Sequence, residues 1–239
     1  MDVTQDAVKS GSDYVYQTPN LKSGTTVVGY SFKDGTSYHL NMTIQYTPSV
    51  TPGSAATVTF TRAADGVKVV YGPGQVGAYH LDKPTGNAAT YDFELPAGTW
   101  NIAVTKNGYL DYTITGFVIA ASEGSVTAGF DGSMDTKVET GVEGKGTVIT
   151  FGQKTEESAA RKVALTIGDA TWDGKIIALN DIAQVANGLA STATAGQKER
   201  ADMDESGSVL TSDMTYVVDA YGARSVQQSY QKFMEASVA

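Results

Sequence analysis

The stretch that decides the C-terminal part of the fold is residues 202–213, which have the sequence DMDESGSVLTSD. Oxygen-bearing side chains recur in it at positions 1, 3, 5 and 12, a glycine stands at position 6, and position 8 is apolar. The oxygen-bearing residues are Asp202, Asp204, Ser206 and Asp213, the glycine is Gly207, and the apolar residue is Val209. The glycine allows the sharp turn that brings the oxygens together around a hard cation. With the backbone carbonyl of Ser208 at position 7, the pattern is that of a 12-residue EF-hand-like calcium loop.

A second copy of the pattern begins 33 residues earlier in the chain. Positions 1, 3, 5, 6, 7 and 8 of this first loop are Asp169, Thr171, Asp173, Gly174, Lys175 and Ile176. Lys175 is expected to bind through its backbone carbonyl. The last ligand is Asn180 by strict count, but the helical spacing of the apolar residues that follow favours Asp181, after one extra residue. We therefore expect two calcium ions, with weaker binding in the first loop because Thr171 replaces an acidic residue.

Each loop is followed by a periodic apolar stretch that predicts a short amphipathic helix, Asp181–Leu189 after the first and Asp213–Tyr221 after the second. The residues before the first loop, Val163–Gly168, are strand-like and leave no room for the entering helix of an ordinary EF-hand. Two loops that are each followed by a helix, with the first entering helix missing, resemble the dockerin family over residues 166–224. The ending Asp213–Gly222 is similar to the second segment of a type II dockerin.

The resemblance implies a non-catalytic function, because dockerins bind cohesin domains of scaffold or cell-surface anchoring proteins and so assemble extracellular polysaccharide-degrading complexes. Calcium would be structural, since it neutralises carboxylates and pre-forms the helices that meet the cohesin. The cohesin-facing positions of the family correspond here to Leu179, Asn180, Ala186, Asn187, Thr211, Ser212, Val218 and Asp219. The two copies differ at these positions, which predicts one preferred binding orientation. A dockerin would also be a bacterial, secreted or cell-surface protein, and this chain would be a fragment of a larger one.

Residues 25–152 consist of short alternating or β-branched runs separated by Asp-Gly, Asn-Gly and Pro-x-Gly turn signals. This pattern predicts an antiparallel β-sandwich. Within it, Tyr91–Val104 and Asn107–Leu110 are similar to the Ig-like X module and to carboxypeptidase regulatory-like sandwiches. The X module directly precedes many type II dockerins and stabilises them by packing against them.

The expected fold class is therefore multidomain. An N-terminal all-β Ig-like sandwich, the X module, would occupy residues 1–163, and a small all-α dockerin with two EF-hand-like calcium loops would occupy residues 164–239. Residues 1–50 could be the opening strands of the sandwich or a separate β segment. A third helix, Val226–Ala236, is predicted to pack its aromatic side chains back on the domain.

Composition excludes several other functions. The chain has 17 Lys and Arg residues against 26 Asp and Glu residues, which argues against nucleic-acid binding, and no apolar run is long enough to span a membrane. It has no cysteine and only two histidines, and no nucleophile motif predicts an enzyme. One alternative stays open: the β region could bind a polysaccharide, if aromatic residues such as Trp100, Tyr79 and Tyr38 line an exposed sheet face.

Overall fold

The computed structural model describes residues 8–10, 13–15, 37–47, 49–130, 136–153, 162–221 and 226–228. The beginning of the predicted β region, residues 25–36, lies outside these residues. Most of the predicted helix Val226–Ala236 also lies outside them, and its first three residues form a strand. In the described part of the chain, no helix is both long and apolar enough to cross a membrane.

The described residues form fourteen strands, three α-helices and one short 3-10 turn, Gly77–Tyr79. The strands are β1 (Val8–Ser10), β2 (Asp13–Val15), β3 (Ser37–Thr47), β4 (Thr57–Arg62), β5 (Lys68–Tyr71), β6 (Ala88–Pro96), β7 (Gly98–Thr105), β8 (Gly108–Tyr109), β9 (Tyr112–Ser122), β10 (Ser125–Phe130), β11 (Lys137–Val142), β12 (Gly146–Thr150), β13 (Lys162–Asp169) and β14 (Val226–Gln228). The helices are α1 (Ala178–Leu189), α2 (Ala195–Ala201) and α3 (Thr211–Asp219).

Two large sheets make up most of the molecule, beside the small hairpin of β1 and β2. The first has antiparallel neighbours in the order β10-β9-β7-β4-β5, with β14 parallel to the start of β9. The second has the order β11-β12-β3-β13-β8, with β6 also paired to β3. One edge of β3 pairs with the antiparallel strand β6. Along the other edge, two strands run parallel to β3: β12 pairs with its first half and β13 with its second half.

The core lies between the two sheets, as β3 illustrates. Buried and partly exposed side chains alternate along its whole length, because successive residues of a strand point to opposite faces. The five that point inwards are Tyr38, Leu40, Met42, Ile44 and Tyr46. Aromatic rings join the two layers, with the centroid of Phe60 on β4 lying 5.1 Å from that of Phe93 on β6. Such edge-to-face pairs fill the core and add about 0.5–1.5 kcal/mol beyond the area they bury.

The predicted antiparallel Ig-like sandwich is wrong, because the second sheet is mixed. Its central strand β3 has two parallel neighbours, β12 and β13, and β13 comes from the C-terminal third of the chain. Alternation of apolar residues indicates a half-buried strand but does not specify which strand it pairs with, or in which direction.

The predicted small all-α dockerin is also wrong. The region begins with β13, an eight-residue strand of the second sheet, and its three helices are only 12, 7 and 9 residues long. Buried residues beneath the helices, including Ile176, Val185 and Val217, belong to the same hydrophobic cluster as the sandwich core. The helices therefore share a core with the sheets, and the described part of the chain is mostly β. The division into residues 1–163 and 164–239 stays a prediction.

The close contact between α1 and α2 makes a prediction about two glycines. A Cβ added to Gly188 would overlap with the Cβ of Ala201 and lie 3.1 Å from the carbonyl oxygen of Gln197, whereas a Cβ on Gly196 would meet nothing within 4 Å. Gly188→Ala should lower the free energy of unfolding by about 1–2 kcal/mol, since the clash outweighs the better helix propensity of alanine. Gly196→Ala should raise it by about 0.5–1 kcal/mol. Urea denaturation of both variants in calcium would measure this, and shifts of the same sign would contradict the packing described.

Candidate metal centre

The second loop, Asp202–Asp213, is closed by its first carboxylate. The side chain of Asp202 accepts hydrogen bonds from the backbone N–H of Ser206 (2.9 Å) and of Gly207 (2.8 Å). Gly207 has a φ of +87° and Glu205, at position 4, has a φ of +58°, so two left-handed residues produce the tight turn. Glycine accepts this conformation without strain, which explains the glycine at position 6.

Three carboxylates of this loop converge. One oxygen each of Asp202, Asp204 and Asp213 lies within 4.8 Å of the others. Asp213 is almost fully buried, and its two oxygens accept the backbone N–H of Met203 (3.0 Å) and of Leu210 (2.8 Å). The last predicted ligand therefore also holds Leu210, the residue just before α3, so the shape of the loop and the direction of the helix are linked.

The other predicted ligands of the second loop lie beside these carboxylates. The hydroxyl of Ser206 lies 3.2 Å from Asp202 and 3.1 Å from the backbone carbonyl oxygen of Ser208. Asp204 accepts hydrogen bonds from the backbone N–H of Ser206 (3.0 Å) and the hydroxyl of Tyr216 (3.3 Å). The carboxylates, the Ser206 hydroxyl and the Ser208 carbonyl all offer oxygen atoms, and hard cations such as Ca²⁺ are bound by oxygens in proteins.

The first loop has the same backbone pattern. Asp169 accepts the N–H of Asp173 (3.1 Å) and of Gly174 (2.8 Å), the two residues that correspond to Ser206 and Gly207. Left-handed residues again stand at positions 4 and 6, where Trp172 has a φ of +60° and Gly174 one of +78°. Asp173 turns its carboxylate to the N–H of Lys175 (3.0 Å). The 33-residue repeat is therefore a repeat of conformation as well as of residue types.

The structure distinguishes between the two candidates for the last residue of the first loop. The fully buried carboxylate of Asp181 accepts the N–H (3.0 Å) and the hydroxyl (3.0 Å) of Thr171 and the N–H of Ile177 (2.7 Å). Ile177 stands at the same loop position as Leu210, whose N–H is accepted by Asp213 in the second loop. Asn180 is exposed on the first turn of α1. The extra residue is thus accommodated in the first turn of the helix, where Asp181 is the fourth residue and Asp213 is the third residue of α3.

Burial raises the pKa of one carboxylate in each loop, Asp213 and Asp169, and so disfavours its charged form. Desolvation raises the pKa of Asp213, and the nearby Asp204 and Asp202 raise it further, although its two backbone N–H donors oppose them. In the first loop, desolvation likewise raises the pKa of Asp169, with further increases from Asp181 and Asp173. A divalent cation would relieve this repulsion, so the donor sets of both loops, each with three carboxylates, fit Ca²⁺.

The second loop also rests on the sheets, through residues that the sequence did not single out. The ammonium group of Lys106, at the end of β7, donates to the hydroxyl of Ser54 (2.7 Å) and to the carboxylate of Glu205 at position 4. Desolvation lowers the pKa of Lys106, and the Glu205 carboxylate opposes that shift. Lys106 and Glu205 lie 99 residues apart in the chain, and no local pattern marks either of them.

Between the sheets and the loops lies a cleft of about 430 Å³. Its walls include Lys106, Asp111, Asp169, Trp172 and Glu205. The indole of Trp172 is partly exposed there and stacks on the guanidinium group of Arg200, 4.5 Å from the ring centroid. The position-4 side chains of both loops therefore face the same cleft.

The predicted cohesin-facing residues and the predicted sugar-binding aromatics differ in exposure. All eight predicted cohesin-facing residues, which lie on α1 and α3, are exposed. Of the aromatics, Trp100 is fully buried, Tyr38 is buried, and Tyr79 packs against Tyr71 with 5.1 Å between the ring centroids. These three side chains do not form an exposed aromatic platform, so the observation that would have favoured polysaccharide binding is missing at these positions.

No protein-family model matches the chain, and neither does any curated protein. Two solved structures are similar in shape, and both are complexes from Acetivibrio cellulolyticus. One is a C-terminal interface mutant of a type II cohesin–X–dockerin complex, with 17% identity and a TM-score of 0.45. The other is an N-terminal interface mutant of such a complex, with 15% identity and a TM-score of 0.43. Each alignment covers 79% of this chain and 97% of the other.

The raised pKa of Asp213 predicts how stability depends on pH when calcium is chelated. The unfolded chain loses this proton near the ordinary value of 3.8, whereas the folded chain keeps it to higher pH. The stability that this group contributes is therefore complete below that value and is lost as the pH rises through the folded-state pKa. As the pH rises from about 4 to about 7 in chelator, the free energy of unfolding of the native protein should fall more than that of the Asp213→Asn variant, which has no such proton. Urea denaturation across this range would measure it, and parallel pH profiles would contradict the assignment.

Proposed function

We propose that this chain is a non-catalytic docking module that binds a cohesin domain in a calcium-dependent way. The observation that carries the proposal is the convergence of three carboxylates, from Asp202, Asp204 and Asp213, at the start of a helix that exposes Val218. A divalent cation at this point would be structural, and the surface beside it would make the contact with the partner.

Two calcium ions are part of the proposal. The second loop would hold its ion with Asp202, Asp204, Ser206, the carbonyl of Ser208, and Asp213. The first loop would use Asp169, Thr171, Asp173, the carbonyl of Lys175, and Asp181. Bound calcium supplies positive charge that neutralises the buried carboxylates, so its binding free energy adds to the stability of the folded state.

The distribution of exposed apolar side chains supports docking through the helices. Among the described residues, eight large apolar side chains are exposed, and seven of them lie between Trp172 and Tyr221. Leu179 on α1 is 80% exposed and Val218 on α3 is 58% exposed. Exposed apolar side chains that concentrate on one part of a protein indicate an interaction surface, because burying them against a partner is favourable.

The choice of a cohesin as the partner rests on the dockerin-like pattern of the two loops and their spacing. A cohesin-binding module of this kind would act outside the cell, in the assembly of a polysaccharide-degrading complex. An extracellular location would allow even weak calcium sites to be filled, since extracellular calcium modules work with dissociation constants of about 10⁻⁴–10⁻³ M.

Removing the acids of the second loop tests the role of calcium. The double substitution Asp202→Ala and Asp204→Ala removes two of its three carboxylates, and should abolish calcium binding there and reduce cohesin affinity at least about 100-fold. Calorimetry against a panel of cohesins, in calcium and in excess chelator, would measure both effects. Asp82→Ala is the control, because this side chain is 97% exposed and lies outside the loops. Cohesin binding that is unchanged in the double variant, or unaffected by chelator, would refute the proposal.

Charged substitutions on the helices test the docking surface. Leu179→Asp and Val218→Asp should each weaken cohesin binding at least about tenfold, equal to about 1.4 kcal/mol, because a carboxylate would be desolvated in the interface. Calcium affinity and thermal stability should change little, since both side chains are exposed. Val76→Asp is a matched control, because Val76 is 70% exposed but lies in the β region, after β5. Equal effects of all three substitutions would place the binding surface elsewhere.

A further inference from the structure

The second loop is attached to the sheet region at two successive residues, its positions 3 and 4. At position 3, the backbone carbonyl of Asp204 accepts a hydrogen bond from the N–H of Gly53 (3.2 Å), in the segment between β3 and β4. At position 4, the carboxylate of Glu205 pairs with Lys106, whose side chain is only 3% exposed. Asp204 is one of the three converging carboxylates, so the first attachment acts directly on the backbone of a predicted ligand.

Contact at Gly53 is close enough to require glycine. A Cβ added there would lie 2.6 Å from the Cβ of Glu205 and 2.8 Å from its carbonyl oxygen. Any side chain at this position would therefore push the loop away from the sheets. The buried amine of Lys106 then holds the loop in place, because its donors reach both Ser54 beside Gly53 and Glu205 in the loop.

The first loop lacks this arrangement at position 4. Its Trp172 contacts Arg200 on α2, which also donates to the backbone carbonyl of Thr171 (3.1 Å). The support of the first loop at this point thus comes from a helix, whereas that of the second comes from the sheet region.

We propose that the sheet region holds the second loop in its cation-binding shape before the cation arrives, with Gly53 and Lys106 as the positioning residues. A loop that is already ordered loses less conformational freedom when it binds an ion, so its affinity is higher than that of a free loop. The inference rests on the proposed calcium function for its effect on affinity, but its effect on the loop backbone does not need calcium.

The first experiment measures loop order in the metal-free protein. Hydrogen exchange in excess chelator is followed at the amides of Ser206 and Gly207, which donate to Asp202 in the closed loop. Gly53→Ala should increase exchange at both amides at least about tenfold, since the loop opens more often when its support is displaced. Gly86→Ala is the matched control, because its Cβ would meet nothing within 4 Å, and it should leave exchange unchanged.

The second experiment measures calcium binding to the same variants by calorimetry. Gly53→Ala should weaken the second site at least about tenfold and leave the first site unchanged, although it removes no ligand. Unchanged exchange and affinity in Gly53→Ala would overturn the inference, and so would equal weakening of both sites. If native protein binds no calcium while Gly53→Ala still increases exchange, the positioning role stands and the proposed calcium function fails.

Lys106→Met provides an independent test should Gly53→Ala fold poorly. The variant keeps most of the side-chain volume but removes the donors to Ser54 and Glu205. Loss of a positive charge near the loop would by itself strengthen the binding of a cation. Faster exchange at Ser206 and Gly207 together with weaker calcium binding would therefore report lost positioning, whereas stronger binding with unchanged exchange would overturn the inference.

Discussion

The pairing of β13 is the constraint on which the rest of the molecule depends. This strand is hydrogen-bonded to β3 from Lys162 to Thr166 and to β8 at Ile167 and Asp169. Its last residue, Asp169, is also the first carboxylate of the first loop, so the sheet and the loop share one backbone without a linker. Side chains of β13 and of α3 join the same buried cluster, which places the helices directly on the end of the sandwich.

In each of the two loops, opposing interactions act on a buried carboxylate. Backbone N–H donors directed at Asp169 and Asp213 stabilise their charged forms, while burial and neighbouring carboxylates destabilise them. Without a cation, the carboxylates of such a loop repel one another. The repulsion also acts on the helix, because its carboxylate Asp213 accepts hydrogen bonds from Met203 near the start of the loop and from Leu210 near its end. This is a physical reason for cation binding, helix orientation and partner binding to be linked in one module.

Sequence reasoning was accurate where the determining interactions are local. The spacing of oxygen-bearing residues around Gly174 and Gly207 predicted two loops, and both have the same turn geometry in the structure. Helical phase favoured Asp181 over Asn180, and only Asp181 turns into the loop. The fold class was wrong because strand pairing is not local: the alternation in β3 is the same whether its partners are parallel or antiparallel, and nothing in Lys162–Asp169 names β3 as its neighbour.

By itself, the sequence determined the residue types at each loop position, the turns that bring them together, the amphipathic helices that follow, and the alternating strands. These depend on contacts within about a dozen residues, where side-chain chemistry and backbone preference act directly. Only the tertiary structure decided that β13 joins β3 and that Trp100 is buried rather than exposed. It also decided that Gly53 and Lys106 contact the second loop from 99 or more residues away. Such contacts depend on how whole layers pack, because burial of apolar surface favours any compact arrangement and only the assembled core selects one.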